Sequence, residues 1–212
     1  MTDRIYIVGC ARSGTTLLRR LFHAFEGTEV IPHEVSLDDF ADQRSESGRV
    51  LVGKRTIRTI FSNELSVEEG RRQLELLQGR PDIRVLCILR DGRDVVESDY
   101  ASCRRWYESM RQVQIAQAAG LLELGTMQYE DLVTDPDGTQ VGVANWFGLK
   151  IKHLWSEYPA FFPGDDHTDR YPPEAIGAHR VEKDLEKYRR LDPWLAPRMD
   201  EMLRHLGYLE AA

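Results

Sequence analysis

The chain has 212 residues, of which 42% are hydrophobic and 30% are charged. This balance is typical of one globular domain with a substantial core, and we predict a single domain over residues 1–212. The formal net charge is −7 and no extended basic block occurs, which argues against a nucleic-acid partner. No apolar run reaches the length of a membrane span, and the N-terminus lacks a signal-peptide pattern. We therefore expect a soluble protein without a membrane partner.

The cysteine content bears on the compartment and on metal binding. Cys10, Cys87 and Cys103 are odd in number and do not have metal-ligand spacing. Such usage is typical of a reducing compartment and not of a disulfide framework. We expect a cytoplasmic protein that requires no metal.

The hydrophobic pattern predicts strands and helices that alternate along the chain. The expected strands are Ile5–Val8, Glu29–Ile31 (ended by Pro32), Val50–Gly53, Ile83–Leu89 and Gly125–Tyr129. The expected helices run from Thr16, from Ser66 to Gln78, over Asp94–Trp106 and Ser109–Leu122, from Pro136 to Phe147, and over Val181–Tyr188 and Pro193–Leu206. This order predicts an α/β fold: a single P-loop-type domain with a central parallel sheet flanked by helices.

A glycine loop joins the first strand to the first helix. The segment Gly9-Cys-Ala-Arg-Ser-Gly-Thr-Thr16 keeps the G-x-x-x-x-G spacing of nucleotide kinases, but Thr15 stands where their lysine would follow. Free backbone N–H groups in such a loop favour an anion. We expect the loop to hold phosphate through its residues Arg12, Ser13, Gly14, Thr15 and Thr16. The alternative is a plain strand-to-helix turn.

A second anion site is expected where the strand Ile83–Leu89 ends. Arg90 follows this apolar strand and should emerge at the sheet edge where α/β proteins bind ligands. Its planar guanidinium suits a phosphate monoester, and Ser98 at the start of the next helix can donate to the same anion. The alternative is a surface pair between Arg90 and Asp91 or Asp94.

Three segments in series resemble the PAPS-dependent sulfotransferases, where PAPS is 3'-phosphoadenosine 5'-phosphosulfate. The segment Tyr6–Leu18 is similar to that family's 5'-phosphosulfate loop, and Val85–Ser98 to its 3'-phosphate segment. The stretch Tyr129-Glu-Asp-Leu-Val-Thr-Asp-Pro136 resembles its Y-E-D-L-x-x-D-P motif. The resemblance implies transfer of a sulfuryl group from PAPS to a hydroxyl or amine of a small-molecule or carbohydrate acceptor. It also implies that Tyr129 lies near the adenine.

The same resemblance implies the catalytic groups. Glu34 corresponds to the base of the tyrosylprotein and carbohydrate branches, with His33 as the alternative. Arg12 and Lys54 supply positive charge for the leaving oxygen, although Lys54 can also be read as a solvated lysine. Arg180 and Lys183 partly match a C-terminal nucleotide clamp whose tryptophan is replaced here by His179.

Two other functions fit parts of the sequence. One is a P-loop small-molecule kinase that uses ATP and magnesium, and the other is a nucleotide-binding relative without turnover. The acceptor is not indicated, and the oligomeric state stays open. Five aromatic residues line an acceptor pocket or simply pack: Trp106, Tyr107, Phe161, Phe162 and Tyr171.

Overall fold

The structure is a computed structural model that describes residues 4–45, 48–57, 67–98, 100–120, 124–158, 184 and 186–210. Its strands are β1 (Arg4–Gly9), β2 (Phe25–Glu26), β3 (Thr28–Glu34), β4 (Val50–Thr56), β5 (Ile83–Leu89), β6 (Leu124–Gln128) and β7 (Lys150–Ile151). Its helices are α1 (Thr15–Leu21), α2 (Leu37–Asp42), α3 (Val67–Gln78), α4 (Gly92–Glu97), α5 (Cys103–Ala118), α6 (Tyr129–Thr134), α7 (Pro136–Phe147), α8 (Lys187–Leu191) and α9 (Ala196–His205).

Five strands form the central sheet in the order β3-β4-β1-β5-β6, and every neighbouring pair is parallel. Helices cover both faces, so β1 is apolar on both sides. Ile5 and Ile7 pack in a core with α1 and α7, and Tyr6 and Val8 pack in a second core with α2, α3, α5 and α9. The α/β architecture expected from the sequence is therefore confirmed.

The edge strand β3 is longer than predicted. It continues through Pro32 to Glu34, with an irregular register against β4 between Val30 and Glu34. Proline is tolerated there because an edge strand leaves one side of its backbone without a ladder partner. The extension matters because it carries Glu34 to the same level as Lys54 on β4.

The helices after β5 divide at a different place from the prediction. The apolar pattern predicts the break near residue 108, whereas α4 ends at Glu97 and α5 begins at Cys103. Ser102 caps α5 by accepting a hydrogen bond from the backbone N–H of Arg105 at 3.2 Å. The N-cap favours a helix that begins at Cys103 over the single helix Asp94–Trp106 that the apolar pattern predicts.

The last elements agree in part with the prediction. Tyr129 opens α6 and does not end a strand, whereas α7 and its glycine end at Gly148 match the expected helix. At the C-terminus, α9 is followed by Gly207 with φ +82°, as expected of a glycine after a helix. The predicted Ser66 cap and half of Val181–Tyr188 lie outside the described residues. In the part of the chain that is described, none of the helices has the length and apolar character to cross a membrane.

Candidate functional site

The loop between β1 and α1 has an unusual backbone. Arg12 has φ +71° and is the only residue other than glycine with a positive φ in the described part of the chain. Gly14 has φ +91°, and a Cβ there would lie 2.5 Å from Cδ2 of Tyr129. A left-handed conformation at a non-glycine residue is costly and concentrates at functional sites. The loop is therefore held in one shape by Gly14, Arg12 and the ring of Tyr129.

Ser13 is a buried polar residue inside this loop. Its side chain is fully buried, and its Oγ has no hydrogen-bond partner among the residues that the structure describes. Buried hydroxyls are normally paired, so the unpaired Oγ of Ser13 is a donor that a bound acceptor could satisfy. The phosphate site at this loop stays a prediction.

Lys54 and Glu34 meet at the carboxyl ends of β4 and β3. The Nζ of Lys54 donates to Oε1 of Glu34 at 2.7 Å and to Oγ1 of Thr16 at 3.0 Å. The Lys54 side chain is only 7% exposed, whereas that of Glu34 is 41% exposed. The reading of Lys54 as a solvated lysine is wrong. Instead, a buried ammonium links the phosphate loop helix to an accessible carboxylate.

The surroundings of Lys54 act on its charge in opposite directions. Burial lowers the pKa of the Lys54 ammonium, and the hydrogen bond to Glu34 partly opposes that shift. The positive charges of Arg19 and Arg20 on α1 lower the pKa further. Glu34 therefore opposes the lowering of the Lys54 pKa by burial and by the nearby arginines.

Arg90 joins the end of β5 to the phosphate loop. Its Nη1 donates to the backbone oxygen of Arg12 at 2.7 Å, and its guanidinium lies 4.3 Å from the ring centre of Tyr129. The nearest carboxylate contact is long, with 3.8 Å between Nε and Asp94, and the side chain is 24% exposed. Asp91 pairs with Arg93 at 2.6 Å. The alternative of a surface pair with Asp91 is thus wrong, whereas the alternative pair with Asp94 is present as a long ion pair.

Other predicted site residues are placed differently. Ser98 lies at the end of α4, not near its start, and its hydroxyl donates to the Val95 carbonyl at 2.7 Å. His33 is exposed and makes no hydrogen bond or ion pair with a described residue, whereas its neighbour Glu34 reaches Lys54. Arg180 and Lys183 lie outside the described residues. The roles of all these residues stay predictions.

The structure also shows how Trp106 and Glu130 support the site. Trp106 is fully buried, so it does not line an open pocket, and its Nε1 donates to the Arg90 carbonyl at 3.0 Å. Glu130 accepts from the Asp91 backbone N–H at 3.1 Å and from the Tyr208 hydroxyl at 3.1 Å. The Trp106 ring packs against Gly92, where a Cβ would lie 2.5 Å from Cδ2 of Trp106. This contact arises from tertiary packing, so residue spacing in the sequence does not predict it. Phe161, Phe162 and Tyr171 lie outside the described residues.

Comparisons with known proteins bear on the fold. No model of a protein family and no curated protein matches the chain. Among solved structures, a sulfotransferase domain from the curacin biosynthetic pathway is 14% identical, with 99% of each chain covered and a TM-score of 0.63. A sulfotransferase domain from the Synechococcus PCC 7002 olefin synthase is 18% identical, with 98% of this chain and 95% of that chain covered and a TM-score of 0.65.

This chain has the sulfotransferase fold. A mouse sulfotransferase complexed with PAP shares it at 11% identity, with 97% of this chain and 84% of that chain covered and a TM-score of 0.52. Within this fold, the glycine loop, Lys54 with Glu34, and Arg90 all lie at the carboxyl edge of the parallel sheet. That edge is where open α/β sheets bind their ligands.

Proposed function

We propose that this protein is a PAPS-dependent sulfotransferase that transfers a sulfuryl group to a hydroxyl or amine of a small-molecule or carbohydrate acceptor. The observation that carries the proposal is the chain of contacts from Glu34 through Lys54 to Thr16. It joins a proton acceptor, a buried cation and the phosphate loop within hydrogen-bond distance. Sulfuryl transfer needs these three parts together.

The donor's charges fit the basic groups at the sheet edge. PAPS carries a 5'-phosphosulfate and a 3'-phosphate, and both need cations or N–H donors. The unpaired hydroxyl of Ser13 and the guanidinium of Arg12 suit the 5' group, since both belong to the loop. Arg90 keeps donors for the 3'-phosphate, because its contact with Asp94 is long. PAP, the adenosine 3',5'-bisphosphate left after transfer, is bound in the structure of the mouse sulfotransferase of the same fold.

The proposed reaction is an in-line displacement at sulfur. The acceptor oxygen or nitrogen forms a bond to sulfur while the bond from sulfur to the bridging oxygen breaks. The acceptor proton passes to the carboxylate of Glu34, and the electron pair stays on the bridging oxygen of the departing PAP. Lys54 stabilises the negative charge on that oxygen. The Glu34 side chain is 41% exposed, so an acceptor can approach it from solvent.

The kinase alternative is disfavoured by one contact. In P-loop kinases, the hydroxyl that follows the loop lysine binds magnesium, and Thr16 holds that position here. The Thr16 hydroxyl oxygen instead accepts from the ammonium of Lys54 at 3.0 Å. A divalent cation at that oxygen would meet a buried positive charge at close range. The geometry therefore favours a donor that needs no magnesium at Thr16.

A turnover assay tests the proposed function and the non-catalytic alternative together. The protein is incubated with PAPS labelled in its sulfuryl group, with EDTA, and with pools of alcohols, phenols, sugars and amines. We expect labelled product and PAP in equal amounts, and we expect Glu34→Gln to lower the rate at which both form by about 10²–10⁴. Tight binding of PAPS with no labelled product from any pool would instead support a binding protein without turnover.

A further inference from the structure

Two guanidinium groups lie over one exposed tyrosine beside the phosphate loop. The guanidinium carbons of Arg12 and Arg105 are 4.8 Å and 5.9 Å from the ring centre of Tyr100. Both distances fall within the range of cation–π attraction, about 6 Å. The Tyr100 side chain is 63% exposed, so this group of charges borders solvent. The two positive charges repel each other, and a bound anion would offset that repulsion.

A third arginine belongs to the same corner of the molecule. The Oγ of Ser109 lies 2.8 Å from the backbone oxygens of both Ile57 and Arg105, so the first turns of α5 lie against the end of β4. Arg55 precedes Ile57 by two residues. It points to the face of the sheet opposite to Lys54, because successive side chains of a strand alternate. Arg55 and Arg105 thus come from elements that meet beside the catalytic edge.

Neither of these arginines has an anionic partner among the described residues. The Nε of Arg55 and the Nε of Arg105 are buried and make no hydrogen bond there. Two acidic residues of α4 and α5 pair with other arginines: Glu108 with Arg104 at 2.6 Å and Asp94 with Arg90 at 3.8 Å. Buried donors are normally satisfied, and a half-buried charge without a partner is unfavourable. Both arginines therefore have guanidinium groups that can bind the anion of a ligand.

Binding of PAPS does not account for the positive charges of Arg55 and Arg105. Under the proposed function, on which this inference rests, Arg12, Lys54 and Arg90 serve PAPS. We propose that the acceptor carries a carboxylate or phosphate group, which Arg105 and Arg55 bind beside the ring of Tyr100 while its hydroxyl or amine faces Glu34. Guanidinium groups recognise both anions through paired hydrogen bonds, which a neutral acceptor cannot supply.

Binding to the PAP complex tests this proposal without a known acceptor. Calorimetric titrations with PAP at saturation compare phenyl phosphate with benzyl alcohol, and phenylacetate with phenylacetamide. We expect at least one anionic probe to bind about tenfold or more tighter than its neutral counterpart. The tighter of the two anions identifies the class. Arg105→Gln and Arg55→Gln should remove that preference and leave the affinity for PAP unchanged.

A matched control lies on the same helix. Arg111 is exposed on α5, and Arg111→Gln should keep the preference for the anion. If Arg105→Gln fails to fold, Arg105→Lys keeps the charge without the planar fork and should weaken the anionic probe only. Equal binding of charged and neutral probes to the wild-type PAP complex would overturn the proposal. So would a loss of PAP affinity in Arg105→Gln, because Arg105 would then belong to the donor site.

The same titrations separate this inference from the proposed function. If the wild-type protein does not bind PAP, the proposed function fails. The anion preference is then measured without PAP, where its dependence on Arg105 and Arg55 still decides whether they form an anion site. If PAP binds and the preference is absent, only the acceptor inference fails.

Discussion

Glu34 and Lys54 are register partners on adjacent parallel strands, and their side chains form an ion pair of 2.7 Å. The carboxylate is accessible and the ammonium is buried. Glu34→Gln keeps the size of the side chain and a hydrogen bond to Lys54, but it removes the proton acceptor. Turnover should fall by about 10²–10⁴, the usual contribution of a general base. Affinity for PAP at neutral pH should change little.

The neighbouring histidine is the control for this variant. His33 is exposed and lacks a described partner, so His33→Gln should leave turnover close to that of the wild type. Steady-state rates with labelled PAPS measure both variants. A larger loss in His33→Gln than in Glu34→Gln would assign the base to His33.

The pKa of Lys54 gives a pH dependence with a defined sign. Burial lowers this pKa and Glu34 partly restores it, so the lysine loses its charge below the ordinary lysine range when Glu34 is neutralised. The ammonium form lies on the acidic side of its pKa and is the form that holds an anionic ligand. PAP affinity, followed from pH 7 upward, should therefore decline at lower pH in Glu34→Gln than in wild type. In Lys54→Met, the affinity should be low throughout and lack this decline.

An identical midpoint of the decline in wild type and Glu34→Gln would contradict the role of Glu34 in raising the pKa of Lys54. A decline that persists in Lys54→Met would show that another group titrates. Both outcomes are measured by calorimetry over the same pH series.

Gly14 offers a test of the loop shape against a matched glycine. In Gly14→Ala the left-handed backbone costs about 1–2 kcal/mol, and the collision with Tyr129 adds about 1–3 kcal/mol. Gly27 has a similar φ of +70° but open space around its Cα, so Gly27→Ala should bear only the backbone cost. Urea unfolding should show the larger loss for Gly14→Ala, and only that variant should lose PAP affinity. Equal effects would mean that Tyr129 does not support the loop.

Arg90 tests the site proposed for the 3'-phosphate. Arg90→Lys keeps the charge but loses the planar pair of donors, and a hydrogen bond to a charged group contributes about 1.5–3 kcal/mol. Affinity for PAPS should fall by about ten- to a hundredfold. Adenosine 5'-phosphosulfate, which lacks the 3'-phosphate, should bind wild type and variant about equally.

Arg93 is the comparison for this experiment. It pairs with Asp91 and donates to the Tyr208 backbone oxygen at 2.9 Å, so Arg93→Lys should alter stability without discriminating between the two nucleotides. Equal weakening of both nucleotides by Arg90→Lys would show that Arg90 acts through its contact with the Arg12 carbonyl.

Local patterns in the sequence predicted much of the sheet and the loop. The apolar runs of β1 and β5 and the glycine spacing are local signals, because a buried parallel strand is apolar on both faces. The pairing of Lys54 with Glu34 depends on strand register, and the stretch of β3 through Pro32 depends on its place at the edge. The contact of Arg90 with Arg12 joins residues 78 positions apart. Such contacts arise from tertiary packing and leave no spacing rule in the sequence.

The resemblance to sulfotransferases predicted groupings of site residues that residue spacing alone does not predict. It assigned Lys54 and Glu34 to one site, and the structure brings them into contact. It also placed Ser98 beside Arg90, whereas the short helix α4 puts Ser98 at a helix end with its hydroxyl engaged. A motif fixes the order of residues, but helix length decides where the later ones lie.

The affinity for PAP in the absence of metal tests the central claim most directly. Ligand binding raises stability by mass action, so thermal unfolding and calorimetry both report it. We predict that PAP with EDTA raises the unfolding temperature of the wild-type protein more than ATP with magnesium does. The Arg90→Lys variant should lose most of that difference. A larger shift with ATP and magnesium, or no shift with PAP, would contradict the assignment and favour the kinase.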